Sequence, residues 1–447
     1  MVELRQPSAA GLLIEDAWVL KDLTREMPES LSIALRGGRI VGLGPRDELR
    51  LRSDLKNAQR LSLPGYLIAP GLINAHTHAS MSFFRGLGQA QAESSSSDAS
   101  LIENFFFPAE KALTPELIEP LAYPYLVDAL RSGTVAVADA YFFIEGVGRA
   151  LDRIGMRGFI GEHVADLGGP HPAGQETWEK YRSQIEKWNF SSRVQPMVYA
   201  HATDTVSFGL LQELALFAKK EGLPFHMHLS QTQGERDRVL RREGKTPVRY
   251  AYEAGVLSER ALLVHLISAD PSDLALIAGE GGLVCLCPAS EIIYEKLPPL
   301  GPIFASGVRL ALGTDCAASN DTADVLQEAR IMALLSRHEA YPQSPEALGR
   351  MVLGEAAKLL APNELGTLKE GMAADFFCVK LGLEVQPLSR SLSNLFYSAA
   401  SRLVEHVMID GRWVLWNREL CLVSEADLAA EFNAALKTLR QRSQLPL

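Results

Sequence analysis

Apolar and polar positions along the chain change texture twice. From residue 11 to about 64 the apolar runs are short. Leu12-Leu13-Ile14, Ala17-Trp18-Val19-Leu20, Leu31-Ser32-Ile33-Ala34-Leu35 and Arg39-Ile40-Val41-Gly42-Leu43 read as β-strands, the last two joined by the turn Gly37-Gly38. From about 65 to 360, apolar runs alternate with helical spacings. The runs are Leu67-Ile68-Ala69 and residues 135–139, 158–161, 195–200, 224–228, 261–265, 282–286 and 308–315. Stretches such as 208–220 and 271–279 fit helices between them. Eight strands alternating with helices predict an α/β chain, a (β/α)8 TIM barrel. After Gly366 the β texture returns in 374–379 and 406–415, with Asp410-Gly411 as a hairpin turn, and 425–442 has helical spacing. The expected organisation is a composite β-sandwich domain from residues 1–64 plus 366–447, and a barrel over 65–365.

In such barrels the chemistry sits at the carboxyl ends of the strands. His76, His78, His201, His228, His265 and Asp315 all fall at or just beyond an expected strand end. His76 and His78 are two residues apart, so in an extended chain they share a face and reach one point. Paired imidazoles suit zinc or iron. His226 is assigned to the face opposite His228, as a packing residue. Residues 86–107 interrupt the rhythm with Ser94-Ser95-Ser96-Ser97 and then Phe105-Phe106-Phe107. This insertion follows the first strand and reads as a mobile lid over the same end.

The composition adds mostly exclusions. The 447 residues are 47% hydrophobic and 22% charged, an ordinary globular balance. A net charge of -10 argues against a nucleic-acid surface or an anionic membrane. No apolar run reaches the length of a membrane span. The first residues lack the basic-then-apolar order of a secretory signal, so a cytoplasmic protein is expected. Five scattered cysteines, Cys285, Cys287, Cys316, Cys378 and Cys421, read as reduced core thiols.

The segments Pro70-Gly71-Leu72-Ile73-Asn74-Ala75-His76-Thr77-His78 with Arg85-Gly86, His226-Met227-His228-Leu229, Val264-His265, Leu312-Gly313-Thr314-Asp315 with Ser319-Asn320, and Gly366-Thr367-Leu368 with Ala374-Asp375 carry a resemblance. In this order, and over nearly the whole chain, they resemble the amidohydrolase superfamily. Within it they are similar to the group of adenosylhomocysteine/methylthioadenosine deaminases and triazine hydrolases. The resemblance implies that His76, His78, His228 and Asp315 hold one divalent metal, zinc or iron, whose bound hydroxide is the nucleophile. It implies that Asp315 takes the proton, that His265 meets the attacking water or the substrate, and that His201 contacts the substrate ring. Arg85 and Glu103, in the stretch after the first strand, are the further expected substrate contacts. The physics agrees: a metal brings the pKa of bound water to about 7 in favourable sites, and a neighbouring carboxylate can accept and return the proton.

Four departures bear on the reaction. Where deaminases of this group carry Glu three residues after the fifth-strand histidine, this chain has Gln231. An amide donates and accepts hydrogen bonds but cannot shuttle a proton. Thr203-Asp204 and Ser290-Glu291 replace the group's Pro-Tyr and Ser-Asn, and 101–105 lack its acidic-then-Trp patch. Glu235 is close to Gln231 in sequence but would need a rearranged loop to reach a ring. The expectation is a metal-dependent hydrolase that deaminates an amino-substituted N-heterocycle of purine nucleoside, pterin or triazine type, with Gln231 among the catalytic positions. Hydrolytic dechlorination or another C–N cleavage is the alternative enzyme reading, and a metal-dependent ligand-binding protein the non-enzyme one. The partner is a small molecule. A homodimer, common in the group, stays open.

Overall fold

The computed structural model describes residues 6–87, 106–294, 296–398 and 400–443. Most of the expected lid, with Glu103, lies outside the described residues.

Strands from both ends of the chain form one nine-stranded sheet. Leu12–Val19 pairs with Glu29–Arg36, which pairs with Arg39–Gly44. On its other side Leu12–Val19 meets Gln59–Ser62 and Tyr66–Pro70 in parallel. Tyr66–Pro70 then pairs antiparallel with Phe376–Lys380, which leads to Val404–Ile409 and Arg412–Trp416. The period of two decides what each residue touches. Ile68, Phe376, Cys378, Met408 and Trp413 face one apolar core with Leu12, Ile14, Ile33 and Leu35. Their neighbours Leu67, Ala69, Phe377, Val379, Val407 and Ile409 face the barrel.

Leu67-Ile68-Ala69 is therefore not the first barrel strand. It belongs to the composite sheet, and the first barrel strand is Leu72–Thr77. The sheet thus takes in residues beyond 64. An apolar run buried on both faces looks the same in either setting. The chain passes between the two at Gly71, where a Cβ would lie 2.3 Å from Val135 Cγ1, so a side chain has no room. The terminal helix Glu425–Ser443, which the sequence grouping puts with the sheet, packs on the barrel helix Pro115–Arg131. Arg131 pairs with Glu425 at 2.6 Å, and Arg153 with Glu431 at 2.7 Å.

The barrel strands after Leu72–Thr77 are Thr134–Tyr141, Arg157–Glu162, Val194–Pro196 continued by Val198–Ala200, Phe225–Leu229, Ala261–His265, Leu283–Leu286 and Arg309–Leu312. They pair in parallel in two runs. Two bridges close the ring, Val164 to Ala200 and Thr77 to Asp315. The motif residues make the second closure possible. Asn74 Oδ1 accepts the Thr314 N–H at 3.1 Å, and a Cβ on Gly313 would sit 2.8 Å from His76 backbone atoms. Helices between strands carry ordinary stop and start signals. Phe208–Glu221 ends at left-handed Gly222, and Pro271–Glu280 starts from a capping box of Asp270 and Asp273.

Four cysteines are buried and Cys421 is partly so, all free thiols. Among the described residues no helix is long and apolar enough to cross a membrane.

Candidate active site

His76 and His78 end the first barrel strand, and His228 ends the fifth. Asp315 follows the eighth at φ +55°, in the left-handed region where non-glycine residues are uncommon. His265 ends the sixth at φ +82°. Such backbone, held only because its surroundings over-determine it, clusters at functional sites.

Four donor atoms converge. His228 Nε2 lies 3.3 Å from both His76 Nε2 and His78 Nε2. Asp315 Oδ1 lies 3.4 Å from His76 Nε2 and 3.5 Å from His78 Nε2. Donors held about 2.1 Å from one zinc ion at tetrahedral angles lie roughly 3.4 Å apart, and these four spacings match that distance. Each imidazole is turned to offer Nε2 because its Nδ1 is engaged. His76 Nδ1 meets His226 Nε2 at 2.9 Å, His78 Nδ1 donates to the Ala140 carbonyl, and His228 Nδ1 meets the Tyr199 hydroxyl at 3.1 Å. Outer partners of this kind fix tautomer and ring orientation in metal sites. Burial pushes the His76 ring down to about 3 and the His78 and His228 rings below their ordinary range, so all three rings are uncharged at working pH and keep a lone pair to offer.

Burial alone would push Asp315 up, but the hydrogen bond from His76 and the surrounding histidines hold it well below the usual carboxylate range. Its second oxygen accepts from Ser290 Oγ at 2.5 Å, and Ser290 Oγ in turn meets Ser319 Oγ at 2.8 Å. A ring nitrogen of His265 lies within 4.8 Å of donors on His76 and His228. Its Nδ1 faces Glu291 Oε1 at 3.3 Å, and its Nε2 has no partner among the described residues. Burial pushes this ring down, but Glu291 and Asp315 outweigh it and leave His265 above its ordinary value.

Above the donors lies an open cavity. His78, His228, Asp315 and Gln231 line it together with an apolar and aromatic wall of Met81, Phe106, Phe107, Tyr141, Phe142 and Cys316. His201 also lines it, with Nδ1 at 2.8 Å from Thr205 Oγ1 and its ring pushed down to about 4 by burial. The backbone N–H of Gln231 donates to Glu235 Oε2 at 2.7 Å, while the other oxygen of Glu235 accepts from the Thr203 hydroxyl. Glu235 therefore props the loop and stands away from the donors. Arg85 is not brought into the cavity: its guanidinium is exposed, 3.3 Å from Asp128 and over the Tyr125 ring. Glu103 lies outside the described residues.

His226 corrects the sequence reading. Residues two apart on a strand share a face, so His226 points into the barrel one layer below His228 and carries His76. Tyr199 and Glu110 also went unmarked, and Glu291 was named only as a departure from the group. Tyr199 had a signal, since it stands next to a strand end one position before Ala200-His201.

Comparison with known proteins agrees with this picture. The sequence profile of the amidohydrolase family matches residues 67–414. A 5-methylthioadenosine/S-adenosylhomocysteine deaminase of Nitratidesulfovibrio vulgaris (strain DP4) is 32% identical over 404 residues, 88% of this chain and 89% of that protein. An adenosine deaminase from Xanthomonas campestris, solved with bound zinc, superposes with a TM-score of 0.88 at 26% identity, covering 96% of this chain and 98% of that one. The zinc complex of an atrazine chlorohydrolase from Arthrobacter aurescens TC1 shares the fold, with a TM-score of 0.83 at 22% identity over 95% and 100% of the two chains.

Proposed function

This chain belongs to the amidohydrolase family and is a hydrolase of carbon–nitrogen bonds in nitrogen heterocycles, and we propose that it releases ammonia from an aminopurine nucleoside. The observation that carries the reading is the convergence of three neutral imidazole Nε2 atoms and one carboxylate oxygen, with four of their spacings at 3.3–3.5 Å, beneath an aromatic cavity. One zinc ion fits that donor set, and when bound it supplies a water acidified to about neutrality.

The chain's own groups do the rest. Asp315, held ionised and oriented by Ser290, accepts a proton from the water and hands it to the departing amine. His265, backed by Glu291, offers Nε2 to the oxygen that gains charge as the ring carbon is attacked. His201 and Gln231 hydrogen-bond the ring, and the aromatic wall stacks on it and excludes water. Names of relatives support the nucleoside class; the cavity supports a planar ring.

The test is a turnover screen on zinc-loaded protein with paired amino- and chloro-substituted nucleosides, pterins and triazines, reading ammonia and chloride in parallel. Ammonia from an adenosine-type nucleoside is the expected result. Chloride alone would overturn the leaving group, and tight binding without either product would overturn the enzyme reading.

A further inference from the structure

The cavity contains one acid that the mechanism leaves idle. Glu110 ends the short helix Phe107–Glu110, is 6% exposed, and lines the same space as His228, Gln231 and Asp315. Phe106, Phe107 and Phe142 flank it. The Tyr141 hydroxyl donates to its Oε1 at 2.9 Å, and among the described residues its Oε2 has no protein partner.

That is unlike the buried and half-buried glutamates that hold structure here. Glu162 accepts the backbone N–H groups of Phe143 and Ile144, both at 2.8 Å, one on each oxygen. Glu328 accepts from Ala289 N–H at 3.0 Å and from Asn320 at 2.8 Å, again one on each. Glu235 divides its oxygens between Thr203 and Gln231. Glu291 also keeps a free oxygen, but that atom is sealed from solvent and its residue is not part of the cavity wall. A buried polar group left unmet costs free energy, so an open oxygen facing a ligand cavity points to a ligand partner.

We propose that Glu110 is a substrate-recognition residue whose open oxygen hydrogen-bonds a ring nitrogen of the heterocycle, with Tyr141 fixing the carboxyl. Burial pushes this acid up to about 7, so at and below neutrality the open oxygen carries a proton and donates. The matching edge is an unprotonated acceptor nitrogen, as in a purine or azine ring. The groups facing Glu110 are Tyr141, His163, Tyr199 and His201 from the barrel strands, and His171, whose Nε2 meets the Glu110 carbonyl at 3.1 Å. Among the described residues none makes an ion pair with the carboxyl.

The inference rests on the deaminase reading for the identity of the ring, and the test separates the two. In the full-length zinc-loaded enzyme, KM and kcat are measured from pH 6 to 8.5 for wild type, E110Q and E110L, with adenosine as first substrate. Wild-type KM should rise about tenfold through neutrality as the donor is lost. E110Q keeps an amide donor at every pH, so its KM should lose that slope. E110L should raise KM about tenfold or more at pH 6, and by more than it lowers kcat. A pH slope in E110Q equal to that of wild type, or an unchanged KM in E110L, would overturn the proposal. If wild type releases no ammonia, calorimetric binding of adenosine replaces turnover. Binding lost in E110L then upholds the recognition role while the deaminase reading falls; equal binding in both overturns it, and no binding to wild type overturns both. Should E110L fail to fold, the slope of E110Q decides alone.

Discussion

Replacing His226 by Ala tests whether the site is built from its second layer inward. His226 is fully buried, and its Nε2 stands 2.9 Å from His76 Nδ1. For His76 to offer the lone pair of Nε2 to a metal, its proton must sit on Nδ1 and be donated to His226. Removing the acceptor strands that N–H in a buried place, at a cost of about 1–3 kcal/mol. It also frees the ring to take the other tautomer, with the proton on Nε2, which cannot ligate. Loss of such an outer partner typically weakens metal binding 10- to 100-fold, about 1.4–2.7 kcal/mol. The assay is zinc competition against a chelator of known affinity, with Tyr199→Phe as comparator. That variant removes one 3.1 Å hydrogen bond at His228 without opening a hole, so its loss should be smaller. The apoprotein of His226→Ala will also melt earlier, because a ring has left the barrel interior. A lower melting temperature with zinc affinity unchanged would refute the reasoning and reduce His226 to packing.

Three further outcomes follow from the same geometry. Gln231→Glu restores a proton shuttle to the cavity wall and should raise kcat/KM for an aminated substrate at least tenfold, since general acid–base help is worth about 10²–10⁴-fold; an unchanged or lower rate would mean the site is rebuilt around the amide. Asp315→Asn should abolish ammonia release, and retained activity with zinc bound would remove Asp315 as base. Glu110 also leaves a mark on stability. Its folded-state value of about 7 lies above that of an unfolded glutamate, so the folded protein keeps a proton that the unfolded chain releases. The resulting stability is full below about pH 4.3 and lost as pH rises through 7, a swing of about 4 kcal/mol at most. Wild type should therefore lose melting temperature relative to E110Q between pH 5 and pH 8; parallel curves would contradict the burial argument.

Much of this was legible in the chain because strand runs and strand ends leave local marks. His76 and His78, two apart after an apolar run, announce a shared point, and His228, His265 and Asp315 recur at the ends of later runs. What stayed hidden depended on neighbours far away in sequence. Leu67-Ile68-Ala69 reads as a buried strand, but only its pairing with Phe376–Lys380 says which sheet owns it. Arg85 sits beside the motif, yet Asp128 takes its guanidinium. Glu110 and Glu291 belong to a one-turn helix and a short helix after a strand, where no periodicity reveals depth. The error at His226 was of another kind, since its spacing from His228 already placed both on one face.

The composite sheet has a consequence for how the protein is made. Tyr66–Pro70 finds its outer neighbour, Phe376–Lys380, about 300 residues later. During synthesis from the amino terminus, the early strands leave the ribosome with one edge unpaired and one apolar face uncovered until nearly the whole chain has emerged. Contacts of such long sequence separation slow folding, and bare strand edges invite association. Truncation before residue 376 should therefore yield an aggregating fragment, not a shortened enzyme.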